Sequence, residues 1–146
     1  MLSQSVGYAA VALGVLAAAR GRAMLVKEIA EIGDIPSPYL AKLINMLGRK
    51  GIVETQRGIG GGVVLIKKPE ALSLYELCEM FDDPVTKKRC MLGTTECSDE
   101  RACPCHKFWT LHRDREIEFL KKTTIADLGA FERKELLRTG RGKKVS

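Results

Sequence analysis

The sequence predicts a mainly α-helical domain with a small β-hairpin wing: a winged helix-turn-helix followed by a long C-terminal helix. Three observations predict it. Two helical patterns lie either side of a tight turn in "MLVKEIAEIGDIPSPYLAKLINMLGRKG"; two β-branched runs then flank "RGIGGG"; and a last long helical pattern follows a loop rich in cysteine. Helix, turn, helix, hairpin is the order of a winged helix-turn-helix.

A chain of 146 residues, 45% hydrophobic and 29% charged, holds one core of ordinary size and is short for two. One folded domain with appendages is expected. The first helix runs from Ser5 to Ala19, with Val6, Ala9, Ala10, Leu13 and Leu16 at helical spacing. Its alanines let another backbone come close. The apolar run has no basic residue before it and falls short of the roughly 20 residues that span a bilayer. Neither a signal peptide nor a membrane helix is expected, and the chain reads as cytoplasmic.

A second helix covers Met24 to Asp34, with Val26, Ile29 and Ala30 on one face and Gly33 as its stop. The third begins after "DIPSP", with Ser37 as N-cap, Pro38 at the first helical position and Gly51 at the end. Leu40, Leu43, Ile44 and Leu47 follow the i, i+3, i+4, i+7 pattern of a core face. Tyr39, Lys42, Asn45, Met46, Arg49 and Lys50 are left on the other side. "IVETQRGIGGGVVLIKK" then reads as a hairpin whose tip has four glycines in five positions. It lacks the Lys-Ser/Thr and strand-to-helix context of a phosphate-binding loop.

"ALSLYELCEMFDDP" opens with a capping box, Ser73 to Glu76, and places Leu74, Leu77, Cys78 and Phe81 on one face, where Cys78 reads as a buried small hydrophobe. From Asp83 to Cys103 nothing is periodic, and so long a stretch without pattern inside a domain points to a functional loop. A helix starting near Pro104 carries Phe108, Trp109, Leu111, Ile117 and Leu120 to about Lys122. With no sequence left to cover it, that helix is expected to meet a partner subunit. The resulting division is 1–82 winged helix-turn-helix, 83–103 cysteine loop, 104–125 dimerisation helix, and 126–146 a basic, partly disordered tail.

The net charge of +6 and pI near 9.2 permit binding to a polyanion, because Lys and Arg release counterions from phosphates. Position carries more weight than the total. Ser37 and Tyr39 are suited to phosphate oxygens, Lys42 to base edges or backbone, and Arg49 and Lys50 continue the same face. On the wing, Arg57 beside the Gly58 and Gly60 tip is suited to a narrow minor groove. Double-stranded DNA is therefore the expected partner. A homodimer would present two third helices ~34 Å apart and read a near-palindromic operator.

"CMLGTTECSDERACPCHKFW" places Cys90, Cys97, Cys103 and Cys105 beside His106. Five cysteines, an odd number, in an intracellular chain point to metal binding or redox chemistry rather than bridges. Zinc sites usually pair ligands in Cys-x2-Cys knuckles, and this run has none. Six and five residues separate the first three thiols, a spacing that suits a larger object such as an iron-sulfur cluster.

At this point the residues resemble the dimeric winged-helix iron-sulfur regulators typified by IscR and NsrR. The resemblance extends over nearly the whole chain: the opening "MLSQSVGYAAVAL", the block "IPSPYLAKLINMLGRKGIVETQRGIGGGVVLIKKPEALSLYEL", three spaced cysteines, and the His and Trp after the third. It implies that Cys90, Cys97 and Cys103 hold a cluster, with a first gap one residue longer than the commonest form. His106 matches the histidine that completes a [2Fe-2S] site in IscR-like members. Tyr8 stands where NsrR-like members carry the aspartate of a [4Fe-4S] site, so [2Fe-2S] is favoured over [4Fe-4S], with Cys105 as the alternative ligand. Ala41 replaces an acidic residue that helps IscR choose between site types, so the operator is not carried over.

The function expected is sequence-specific transcription regulation, as a repressor, with the cluster sensing redox state, nitric oxide or iron supply. A zinc site or thiol/disulfide switch on the same DNA-binding frame is the alternative. No enzyme and no small-molecule substrate are expected: "CPC" lacks the βαβ context of thiol-disulfide oxidoreductases, and no nucleophile elbow or carboxylate pair is present.

Overall fold

The computed structural model describes residues 1–93, 95–101 and 103–140. Six α-helices and one hairpin are described: α1 Gln4–Ala18, α2 Val26–Gly33, α3 Ser37–Arg49, β1 Val53–Gln56, β2 Gly62–Leu65, α4 Leu74–Met80, α5 His106–Lys122 and α6 Ile125–Thr139. The strands pair antiparallel, Val53 opposite Leu65 and Gln56 opposite Gly62. The core lies where α1 meets α2, α3, α4 and the hairpin, with Leu13, Leu16, Ile29, Leu40, Leu47, Ile52 and Leu77 almost fully buried.

The helix ends have local causes, and several differ from the expectations above. Ser3, not a residue inside the helix, caps α1 by accepting from the Val6 amide. α2 ends on Asp34 in the left-handed conformation, φ 53°. Gly33 serves packing instead, since a β-carbon there would sit 3.0 Å from Ile35 and Val11. Pro36 is the N-cap of α3, with Ser37 its first helical residue and no side chain capping it. The capping box of Ser73 and Glu76 on α4 is complete in both halves. Cys78 is fully buried; burial, with the nearby Asp83 carboxylate, pushes its thiol up to about 11, so it remains an unreactive thiol, as the apolar stripe implied.

The wing is fastened to the body through Met24, which exchanges both backbone hydrogen bonds with Val63 at 2.7 and 2.9 Å. This approach needs Gly62: at φ 143° a β-carbon would lie 2.5 Å from the Met24 carbonyl oxygen.

Two corrections concern the C-terminal third. The last long helix starts at His106, because Pro104 and Cys105 form the turn before it. The segment read as a tail is a helix through Thr139, opened by a second capping box, Thr124 with Asp127, and closed by Gly140 at φ 69°. α6 lies along α1, its Gly129 so close that a β-carbon would come within 2.8 Å of Ala17 Cβ, while one on Gly14 would stand 3.1 Å from Leu128 Cβ. The alanine-rich face of α1 does admit another backbone, and that backbone is α6. Residues 141–146 lie outside the described residues. α5 buries Leu120 and Arg113 but leaves Phe108, Leu111 and Phe119 more than half exposed, as are Phe131 and Leu137 on α6.

Candidate functional site

The cysteine loop is anchored at its start. Asp83, 2% exposed, accepts from the Ser3 amide at 2.8 Å and the Val85 amide at 2.9 Å. Burial works to raise its carboxyl, but these amide bonds outweigh it and hold it below the usual carboxylate range. The loop is also fastened to α5: Trp109 Nε1 donates to the Arg89 carbonyl at 2.6 Å and Arg113 to the Lys87 carbonyl at 2.9 Å. Neither anchor was legible in the sequence. Within the loop Arg89 and Glu96 form an isolated bridge, and Arg101 bonds the Thr95 hydroxyl.

Between these anchors Cys90, Cys97, Cys103, Cys105 and His106 line one small cavity, with Met91, Ser98, Arg101 and Trp109 completing its wall. All four thiols are free. Cys90 is 8% exposed and the others are half-buried. His106 Nδ1 lies 3.0 Å from Cys97 Sγ, and its Nε2 lies 2.8 Å from Asp99 Oδ1. Burial, then the neighbouring Cys103 and Cys90, push the Cys105 thiol upward. The donors suit an iron-sulfur cluster in kind, thiols with one imidazole, gathered in a partly buried cavity at a helix start.

The other constellation lies on α3 and the wing. Ser37, Lys42, Arg49, Lys50 and Arg57 are exposed, and so are Gly58 and Gly60, at φ 96° and 76°. Among the described residues none of these four cations is paired with a carboxylate, so their charge is available to an external anion. With its first turn uncapped by any side chain, α3 offers amide donors there as well. Tyr39 is different: it is half-buried, its hydroxyl 2.6 Å from Ser5 Oγ and its ring edge-on to Tyr8 at 5.5 Å between centroids. It ties α3 to the start of α1.

Fold and exposed face together define a winged-helix DNA-binding regulator of transcription. The comparisons are specific. Residues 2–130 match the model of the Rrf2 family, described as iron-dependent transcriptional regulators, and the chain belongs to that family. It is 36% identical over 143 residues to a provisionally assigned HTH-type transcriptional regulator of Aquifex aeolicus, covering 97% of this chain and 99% of that one. To the HTH-type regulator IscR of Escherichia coli it is 32% identical over 101 residues, 69% of this chain and 62% of that protein. Its fold superposes on CymR, the global cysteine regulator of B. subtilis, with TM-score 0.71 and 25% identity, covering 90% and 97% of the two chains. It superposes on T. potens IscR with TM-score 0.64 and 21% identity, covering 100% and 92%. The relatives are transcription regulators, not enzymes. No helix among the described residues is long and apolar enough to cross a membrane.

Proposed function

We propose that this chain is a cytoplasmic, homodimeric, sequence-specific repressor whose affinity for DNA depends on a [2Fe-2S] cluster held by Cys90, Cys97, Cys103 and His106. The observation that carries this reading is the convergence of those four side chains on one cavity, between a loop pinned to α1 and the first turn of α5. Kinship with IscR supports the cofactor. When bound, the cluster supplies a redox-active group whose loss or oxidation reports oxygen, nitric oxide or iron supply.

The chain's own residues carry the signal outward. Cys90, Cys97 and Cys103 order the loop, and His106 fixes the start of α5, whose exposed Phe108, Leu111 and Phe119 face the partner subunit. Asp83 passes the loop's position to Ser3, the cap of α1, and two residues on Ser5 holds Tyr39 of α3. A small change in the loop thereby shifts the angle between the two α3 helices on a near-palindromic operator. Lys42, Arg49, Lys50, Ser37 and Arg57 grip that DNA, with the Gly58 and Gly60 tip lying close to its backbone.

The test is the visible spectrum of protein purified without oxygen, with iron and sulfide assayed on the same sample: about two of each per chain are expected. Colourless, iron-free protein after reconstitution would remove the reading. It would leave a thiol switch, which the gathering of four free thiols around one cavity and the likeness to CymR favour. At the DNA face, Lys42→Ala and Arg57→Ala are each expected to reduce the slope of log affinity against log salt by about 1. Anisotropy titrations over a range of salt measure this, and an unchanged slope would take that residue out of the interface.

A further inference from the structure

We propose that Asp99 is the positioning residue for His106, deciding which imidazole nitrogen faces the cysteine cavity; this rests on the reading of that cavity as the cluster site. The chemistry follows from the two ring contacts. A carboxylate only accepts, so Nε2, 2.8 Å from Asp99 Oδ1, carries the proton of the neutral ring. Nδ1 is then left bare and turned inward, 3.0 Å from Cys97 Sγ, whose thiol donates to it. A bare ring nitrogen beside a thiol is what a metal ligand must offer, and a carboxylate behind a histidine is the usual device for presenting it.

Asp99 is otherwise almost wholly in solvent, its side chain 97% exposed, so its placement has to come from the backbone. Ser98 supplies it: the hydroxyl accepts from the Glu100 amide at 3.2 Å and the carbonyl from the Arg101 amide at 3.2 Å. The turn so formed aims residue 99 at the first residue of α5. His106, by contrast, keeps only 21% of its side chain exposed, so a ring turned the wrong way gains no compensating water at Nδ1.

The experiment uses the full chain and two readouts. The chain has two histidines, so nitrogen NMR of reduced, metal-free protein, with His112→Gln to assign the signals, reads the tautomer of His106 directly. The wild type is expected to be Nε2-protonated; Asp99→Ala is expected to lose that preference, and Asp99→Asn, whose carbonyl oxygen still accepts, to retain it. In protein reconstituted without oxygen, Asp99→Ala is expected to release iron to a chelator about 10-fold to 100-fold faster than wild type, with Asp99→Asn close to wild type. Either readout left at the wild-type value in Asp99→Ala overturns the proposal. If the wild type takes up no cluster at all, the cluster-site reading falls, while the tautomer measurement still decides whether Asp99 positions the ring.

Discussion

Cys97→Ser, reconstituted without oxygen, is expected to show no visible absorption and no bound iron or sulfide, and to bind operator DNA with the affinity of the metal-free wild type. Cys97 is the residue to change first because it stands beside His106 in the cavity. A serine hydroxyl is a far poorer ligand for iron than a thiolate, and three remaining donors leave one iron incompletely held. The wild type itself is expected to differ between cluster-bound and metal-free forms by about 10-fold to 150-fold in DNA affinity, a coupling of ~1.4 to 3 kcal/mol. In the variant that difference disappears. Cys105→Ser separates the ligand assignments: with Cys90, Cys97, Cys103 and His106 as the donors around the cavity, this variant is expected to keep its cluster. If Cys97→Ser loses the cluster but the wild type binds DNA equally with and without it, the loop is not a sensor.

The parts of this molecule that announced themselves in the sequence are those built from large apolar residues at regular spacing or from turn chemistry. The face of Leu40, Leu43, Ile44 and Leu47, the Ser73 capping box and the glycine-rich wing are of this kind, and all three are present. α6 was misread as tail for a physical reason. It docks through Gly14, Ala17 and Gly129, and small residues that gain by close approach carry almost no hydropathy signal. The overlooked clue was polar: Thr124 followed by Asp127, a capping box, with Gly140 as the stop. At the site, the cysteines and the adjoining His106 stand out in the sequence by type and clustering, and they line one cavity. Asp99, Asp83 and Arg113 act through contacts set by the folded loop, and no periodicity reports them. Tyr39, whose type suits phosphate, also meets Ser5 through its hydroxyl, a contact that no spacing reports.

The docking of α6 yields the largest stability effect expected. Gly129→Ala places a β-carbon 2.8 Å from Ala17 Cβ, closer than two carbons approach without repulsion, and the obstacle on each side is helix rather than a flexible side-chain end. The helices have to separate, at a cost of about 1 to 3 kcal/mol for such overpacking. For a domain of this size that corresponds to a fall of roughly 2 to 4 °C in melting temperature per kcal/mol. Gly129→Val, wider still, is expected to exceed it. Alanine is intrinsically the better helix former by about 1 kcal/mol, so propensity alone predicts that Gly129→Ala stabilises, and the two effects have opposite signs. Thermal unfolding therefore decides between them, and a second substitution makes the decision clean. Ala17→Gly removes the methyl that the new β-carbon meets; alone it is expected to destabilise slightly through helix propensity. Combined with Gly129→Ala it is expected to restore most of the lost stability, so that the pair is non-additive by more than 0.5 kcal/mol in the sense expected of residues in contact. Additive changes would mean that α6 is held by its flanking leucines, and that the close approach of the two backbones contributes little.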